Sequence, residues 1–328
     1  MSGSRLDEDD IRFRPGRGSR PRTKSRPAHE GAVTGFVTAV DRGRYVCLVD
    51  GRDVVAMKAR ELGRGSVVVG DRVALAGDIS GAPGTLARIV RVSPRSSALR
   101  RSADDTDPVE RVIVANADQM MIVCALASPP PGLRFVDRCL VAAYDAGLSP
   151  VLVLTKADLG SDVSIRPLYE PLGLTMISTR PGSLGSSPSL PSLLDGQISV
   201  LIGQSGVGKS TLVNTLVPDA VRAVGSVNPV TGRGRHTSSS AVAFRYESGW
   251  LIDTPGLRGF GLGHVSESRV IEAFGDLAEG VAGCPPGCDH ACSTSDCGLD
   301  EWAEANGAVE RLDSLRRLLA SRAGTETE

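Results

Sequence analysis

Residues 198–210 read Ile198-Ser-Val-Leu-Ile-Gly203-Gln204-Ser205-Gly206-Val207-Gly208-Lys209-Ser210. The first five residues are the apolar run of a buried strand, and Gly203–Ser210 matches the phosphate-loop pattern, with a helical stretch after it. Glycine lets backbone N–H groups turn inward and approach phosphate oxygens. The following helix adds its positive N-terminal end. Lys209 is placed to reach β- and γ-phosphates, the Ser210 hydroxyl to bind Mg²⁺, and Thr211 to extend the set. A strand running straight into such a loop predicts an α/β nucleotide-binding domain.

The phosphate loop does not choose between purines; two further motifs do. Asp253-Thr-Pro-Gly256 follows the strand Trp250–Ile252. An aspartate there contacts Mg²⁺ through water, and a glycine N–H meets the γ-phosphate. Thr155-Lys156-Ala157-Asp158 ends a second buried strand. A carboxylate at Asp158 accepts from guanine N1–H and the exocyclic amine, a donor pair that adenine lacks. Lys156 lies along the purine and ribose. Thr155 stands where asparagine is usual, so selectivity rests mainly on Asp158. Ser178 closes the next strand and is expected to support this loop.

The order of these motifs is unusual. Base reading (155–158) precedes phosphate binding (203–210), which precedes Asp253–Gly256. Between the last two lies Gly225–Thr237, with Gly232-Arg-Gly-Arg-His236-Thr237. Thr237 is the expected switch threonine for Mg²⁺ and the γ-phosphate. Ras-type enzymes orient water with a glutamine just after Asp-x-x-Gly; here that position is Leu257. His236 is the best internal substitute, since a neutral imidazole accepts a hydrogen bond from water. The rival reading has His236 contact RNA with Arg233 and Arg235.

Outward from this core the rhythm changes. Residues 31–98 hold five short strands, Val33–Val40, Arg44–Asp50, Asp53–Lys58, Arg72–Ala76 and Thr85–Val92, with glycine turns between them. That suits a small barrel, oligonucleotide-binding or SH3-like. From about 110, strands alternate with helices: Gln119–Ala125, a helix over Leu133–Gly147, Val151–Leu154 and Leu174–Ile177. Alternation implies a parallel sheet. Val309, Leu312, Leu315 and Leu319 repeat at helical spacing and read as core. Residues 11–26 carry seven basic residues and no acidic one, among glycine, proline and serine, and predict a disordered tail or an RNA-binding arm.

The chain has 328 residues and net charge −1, so it is not a polycation. It lacks an apolar run of membrane-span length, and an N-terminal apolar stretch of signal-peptide type. A cytoplasmic protein is expected. Four of its seven cysteines crowd into residues 284–297, which in a reducing compartment points to metal. Cys284-x3-Cys288-x-His290-x6-Cys297 supplies the four-ligand set that structural Zn²⁺ favours. Cys292 competes with Cys297 for the last position.

The permuted motif order, an N-terminal barrel and a C-terminal Cys/His cluster together resemble the ribosome small-subunit-dependent GTPase A family (RsgA or YjeQ), over roughly residues 31–320. The resemblance favours Cys297 over Cys292, its spacing being nearer the family's. It implies a multidomain chain: a basic tail (1–30), an oligonucleotide-binding (OB) barrel (31–98), a circularly permuted α/β GTPase domain (99–265) and a helical zinc-binding domain (266–328). It also implies hydrolysis of GTP to GDP with Mg²⁺, stimulated by the small (30S) ribosomal subunit during its late maturation. Expected rRNA contacts are the tail, the barrel, Arg233, Arg235, and the linker residues Arg95, Arg100 and Arg101. A monomer that binds no membrane is expected. The switch segments 225–237 and 253–265 directly precede the zinc domain, so a nucleotide-dependent shift there is expected to move it.

Overall fold

The computed structural model describes residues 29, 31–63, 65–101, 111–185, 189–218, 220, 241–255, 262, 265–290 and 296–323. The basic stretch 11–26 and the segment 225–237 lie outside the described residues.

Alternating side chains build the first element. In β2 (Arg44–Val49), Tyr45, Cys47 and Val49 point inward; in β3 (Arg52–Lys58), Val54 and Ala56 do so, while Val55 and Met57 stay exposed. β1 (Val33–Asp41) turns into β2 through Arg42 and Gly43, and β2 into β3 through Asp50 and Gly51, all four at positive φ. Paired left-handed residues are what two-residue hairpins require. β4 (Arg72–Gly77) and β5 (Ala87–Val92) complete the ring. β1 pairs with both β2 and β4, β3 runs parallel to β5, and β5 pairs with β4, giving a closed barrel β1-β2-β3-β5-β4. Val37, Cys47, Val54, Val73 and Ile89 fill it without exposure.

A hairpin of β6 (Ala98–Arg101) and β7 (Arg111–Ala115) follows, which the arginine-rich sequence did not suggest. It begins at Ala98, so the expected boundary at 98/99 falls inside a strand. The hairpin is tied to the barrel at Gly70. Ala115 N–H donates to the Val69 carbonyl at 3.0 Å, and the Asn116 side chain donates to the Gly70 carbonyl at 2.9 Å. Gly70 has φ +92°, and a Cβ there would lie 2.0 Å from the Ala115 carbonyl, so only glycine fits.

All seven residues of β8 (Gln119–Ala125) are buried, as a strand covered on both faces must be. It pairs in parallel with β9 (Ser149–Thr155) and β11 (Ile198–Gly203). β10 (Thr175–Ser178) and β13 (Gly249–Asp253) extend the parallel sheet, and β12 (Val242–Tyr246) is antiparallel at its edge. The order is β10-β9-β8-β11-β13-β12, and the Ala39–Val242 pair continues it into the barrel. The chain moves outward in one direction from β8 and in the other from β11. Ligands of α/β sheets bind beyond the strand ends at such a switch point.

Helix α1 (Leu133–Asp145) covers one face, with Gly147 at φ +68° just past its end. On that side lie α2 (Arg166–Tyr169) with a 3₁₀ turn at Glu170–Leu172, and the C-terminal helices α5 (Glu267–Glu272), α6 (Gly275–Gly280), α7 (Gly298–Asn306) and α8 (Val309–Ala323). Helices α3 (Leu190–Leu194) and α4 (Lys209–Leu216) cover the other. Burying each large aliphatic side chain of this core contributes about 1.5–3 kcal/mol. Leu312, Leu315 and Leu319 are buried as expected, but Val309 is 48% exposed because it begins α8, before the helix reaches its packing surface. None of the described helices is long and apolar enough to cross a membrane.

Candidate nucleotide and metal sites

The phosphate loop bridges β11 and α4, with Gly206 at φ +82° and Gly208 at φ +93°. Gly203 sits so close to β8 that a Cβ would meet the Val123 carbonyl at 2.9 Å. Ser205, Gly206, Ser210 and Thr211 are exposed along the open side, Gln204 is half-buried, and Val207 packs inward. Lys209 is buried, and its ammonium donates to Asp253 Oδ1 and to the Thr254 carbonyl. The Thr254 hydroxyl donates to the Leu201 carbonyl at 2.7 Å, which fixes β13's end against β11.

Thr155 and Lys156 grip the same loop from the other side. The Thr155 hydroxyl donates to the Val207 carbonyl at 2.5 Å. Lys156 takes φ +58°, and its ammonium donates to the Gly206 carbonyl at 2.9 Å and to the Ser128 carbonyl. Asp158 is exposed. Ala157 N–H donates to the Thr179 carbonyl at 3.0 Å, so the loop rests on the end of β10.

Ser178 meets a partner just past this loop that the sequence did not reveal. Its hydroxyl donates to Asp162 Oδ2 at 2.9 Å, and Arg166 Nε donates to the same oxygen at 2.8 Å. Burial alone raises the Asp162 pKa, but the Ser178 and Arg166 hydrogen bonds outweigh it and hold the carboxyl below its ordinary range. The Asp162–Arg166 spacing of four residues was the available signal.

The structure thus brings Thr155, Lys156, Asp158, Ser178, the loop 203–211 and Asp253 to one edge of the sheet. Gly256, Leu257, His236 and Thr237 lie outside the described residues. Arg95 corrects an expectation. It donates through Nε to Asp71 Oδ1 at 2.7 Å and through Nη2 to Asp71 Oδ2 at 2.8 Å and the Ser66 carbonyl at 2.9 Å. Asp71 is fully buried, so this guanidinium neutralises an internal carboxylate, a role that reading Arg95 as a linker RNA contact left out.

Cys284, Cys288, His290 and Cys297 converge, with all ligand atoms within 4.8 Å of one another. His290 Nδ1 lies 3.5, 3.6 and 3.8 Å from the sulfurs of Cys284, Cys288 and Cys297, and the Cys284 and Cys297 sulfurs are 3.9 Å apart. A tetrahedron with Zn–S of about 2.3 Å and Zn–N of about 2.0 Å has S···S edges of about 3.8 Å and S···N edges of about 3.5 Å. The donor set therefore fits a tetrahedral metal such as zinc. Binding a metal there would release the thiol protons, so occupancy would depend on pH. Cys292 lies outside the described residues.

The RsgA GTPase family model matches residues 92–263. The small ribosomal subunit biogenesis GTPase RsgA of Pseudomonas syringae pathovar tomato is 37% identical over 264 residues, 78% of this chain and 75% of that protein. The protein of the same name from Ectopseudomonas mendocina is 38% identical over 241 residues, 71% of this chain and 69% of that one. Two crystal structures share the fold. YloQ, described as a circularly permuted GTPase, has a TM-score of 0.60 at 18% identity, covering 93% of this chain and 100% of its own. YjeQ from Thermotoga maritima has a TM-score of 0.61 at 24% identity, covering 90% and 100%.

Proposed function

The chain belongs to the RsgA GTPase family and is a GTP hydrolase with a circularly permuted fold, and we propose that it works on the small ribosomal subunit during late maturation, its hydrolysis stimulated by that subunit. The observation that carries the reading is the convergence of Lys209, Asp253, Thr155 and Lys156 on one loop, although they come from three separate stretches in permuted order.

In this reading the backbone of Gly203–Ser210 and the Lys209 ammonium hold the β- and γ-phosphates. Phosphate oxygens take over the acceptor role that Asp253 and the Thr254 carbonyl fill for Lys209. Mg²⁺, when bound, would supply charge neutralisation; Ser210 and Thr237 would hold it, Asp253 would reach it through water, and Gly256 N–H would meet the γ-phosphate. Asp158 reads guanine and Lys156 supports the purine. Thr155 reads nothing: its hydroxyl is committed to Val207. Leu257 cannot orient water, so intrinsic turnover is slow, and His236 or the ribosomal partner supplies that function.

We read the barrel of β1 to β5 as an OB fold, the stretch from β6 to residue 265 as the GTPase domain and 266–328 as the zinc domain, the metal at Cys284, Cys288, His290 and Cys297 being structural. The barrel, the basic stretch 11–26, Arg233 and Arg235 contact rRNA, and the protein acts as a cytoplasmic monomer. Co-sedimentation with purified small subunits tests this reading. The chain loaded with a non-hydrolysable GTP analogue is expected to pellet with the subunit, and the GDP form to remain mostly free. Equal, salt-insensitive pelleting of both would contradict it.

A further inference from the structure

Arg316 and Arg317 are neighbours on α8 that hold different parts of the molecule. The Arg316 side chain is 9% exposed. Its Nε donates to the His290 carbonyl at 3.0 Å, and its terminal nitrogens donate to the two Asp300 carboxylate oxygens at 2.7 and 2.8 Å. His290 belongs to the Cys/His cluster. Asp300 lies in the first turn of α7, the helix capped by Cys297. One guanidinium therefore braces two of the segments that carry metal-ligating side chains, at the distance where outer partners set ligand orientation.

Arg317 reaches the nucleotide side. It donates to Asp137 of α1 at 3.1 Å and to the Leu168 carbonyl at 2.9 Å, and its guanidinium lies 5.0 Å from the Tyr169 ring. Arg311, on the same helix, donates to the Pro171 carbonyl at 2.6 Å. Residues 166–172 lead from Arg166, which shares Asp162 with Ser178, toward β10, and the Thr179 carbonyl just past β10 accepts from Ala157 of the Thr155–Asp158 loop. Helix α8 thus bonds at one place to the Cys/His cluster and at another to the segment that leads into β10, on whose end the base-reading loop rests.

We propose that metal occupancy of the Cys284–Cys288–His290–Cys297 cluster and guanine-nucleotide binding are thermodynamically linked through α8, with Arg316 and Arg317 as positioning residues. The proposal rests on the reading of Asp158 as the guanine acceptor. With metal bound, His290 and Cys297 are fixed, and so are both acceptors of Arg316. Helix α8 then stays docked and Arg317 holds residues 166–172 beneath the loop. Without it, the Arg316 acceptors separate and the loop loses a support. Linkage is reciprocal, so each ligand tightens the other by the same factor.

The test uses the full-length zinc-loaded chain and a chromophoric chelator. Transfer of Zn²⁺ to the chelator is titrated with and without saturating GDP. The expected result is a zinc dissociation constant lowered by about fivefold or more in GDP. Arg316→Ala is expected to bring that ratio close to one. Asp300→Asn, at a carboxylate that is 49% exposed, removes the charge and one acceptor of the same brace without truncating a buried side chain and is expected to lower the ratio. A ratio of one in the wild-type chain, or an undiminished ratio in Asp300→Asn, overturns the proposal. GDP binding is measured separately with a fluorescent analogue. If the zinc-loaded wild-type chain does not bind GDP, the guanine reading itself fails, which is a different outcome.

Discussion

The hydroxyl of Thr155 donates to the main-chain carbonyl of Val207 at 2.5 Å, so the base-reading motif and the phosphate loop are joined by a side chain. Both partners are buried, and the second tie, from Lys156 to the Gly206 carbonyl, is one residue away on each side. Whatever loosens one loop disturbs the other. In the proposed reading, Thr155 therefore acts on affinity and Asp158 on selectivity.

Thr155→Val removes the donor and leaves a buried carbonyl unsatisfied, at a cost of about 1–3 kcal/mol. GDP and GTP affinities are expected to fall together by roughly 5- to 150-fold, with the preference for GTP over ATP unchanged. Thr155→Ser keeps the donor and restores binding. Fluorescent-nucleotide titration, with unlabelled GTP and ATP as competitors, checks both statements. A changed preference would mean that Thr155 touches the base.

Asp158→Asn replaces an acceptor for two guanine donors with an amide that repels one of them. Charged hydrogen bonds contribute about 1.5–3 kcal/mol each, so GTP affinity is expected to fall by roughly 10²-fold or more. Xanthosine triphosphate, which presents a carbonyl where guanine has its amine, is expected to gain. The same competition assay reads the outcome.

Metal content separates the cysteines. The purified chain is expected to carry one zinc, lost in Cys284→Ser and in Cys297→Ser and retained in Cys292→Ser, by elemental analysis. Chelation is expected to lower the melting temperature, because the cluster joins segments with little apolar core of their own.

Arg95→Ala strands the fully buried Asp71 carboxylate, held otherwise by the Val68 N–H at 2.8 Å. Breaking such a pair costs about 3–5 kcal/mol, and the 22% exposure of Arg95 puts the expected loss near the lower figure. Urea unfolding measures it.

Burial pushes the Cys47 thiol up to about 12, with the Asp53 carboxylate adding to the effect. Its folded pKa thus lies above the unfolded value of 9.0. The stability this contributes is full below pH 9.0 and is lost as pH rises toward 12, because the unfolded chain sheds the proton first. The urea midpoint is expected to decline between pH 9 and 11, at no more than about 1.4 kcal/mol per pH unit from this thiol. Cys47→Ala should flatten that decline.

Much of this was legible in the sequence, for physical reasons. The barrel strands alternate because one face is dry, and β8 is apolar throughout because both faces are. The phosphate loop demands its glycines. What stayed hidden depends on distant partners. Arg95 in a linker looks like any basic surface residue until Asp71, 24 positions earlier, is seen beside it. The β6–β7 hairpin is masked by arginines, since only Leu99, Val114 and Ala115 are buried in it. Ser178 meets Asp162, and Arg316 and Arg317 find partners between two helices or more than a hundred positions away. No local pattern encodes those meetings.

The most direct test is GTP turnover by the purified chain, with and without purified small ribosomal subunits, at two salt concentrations. Slow intrinsic hydrolysis is expected, because Leu257 cannot orient water, with stimulation on the order of 10³–10⁵-fold if the subunit acts as other GTPase activators do. Stimulation is expected to weaken at higher salt as phosphate contacts are screened. Turnover unchanged by the subunit at either salt would contradict the ribosomal assignment while leaving GTP binding intact.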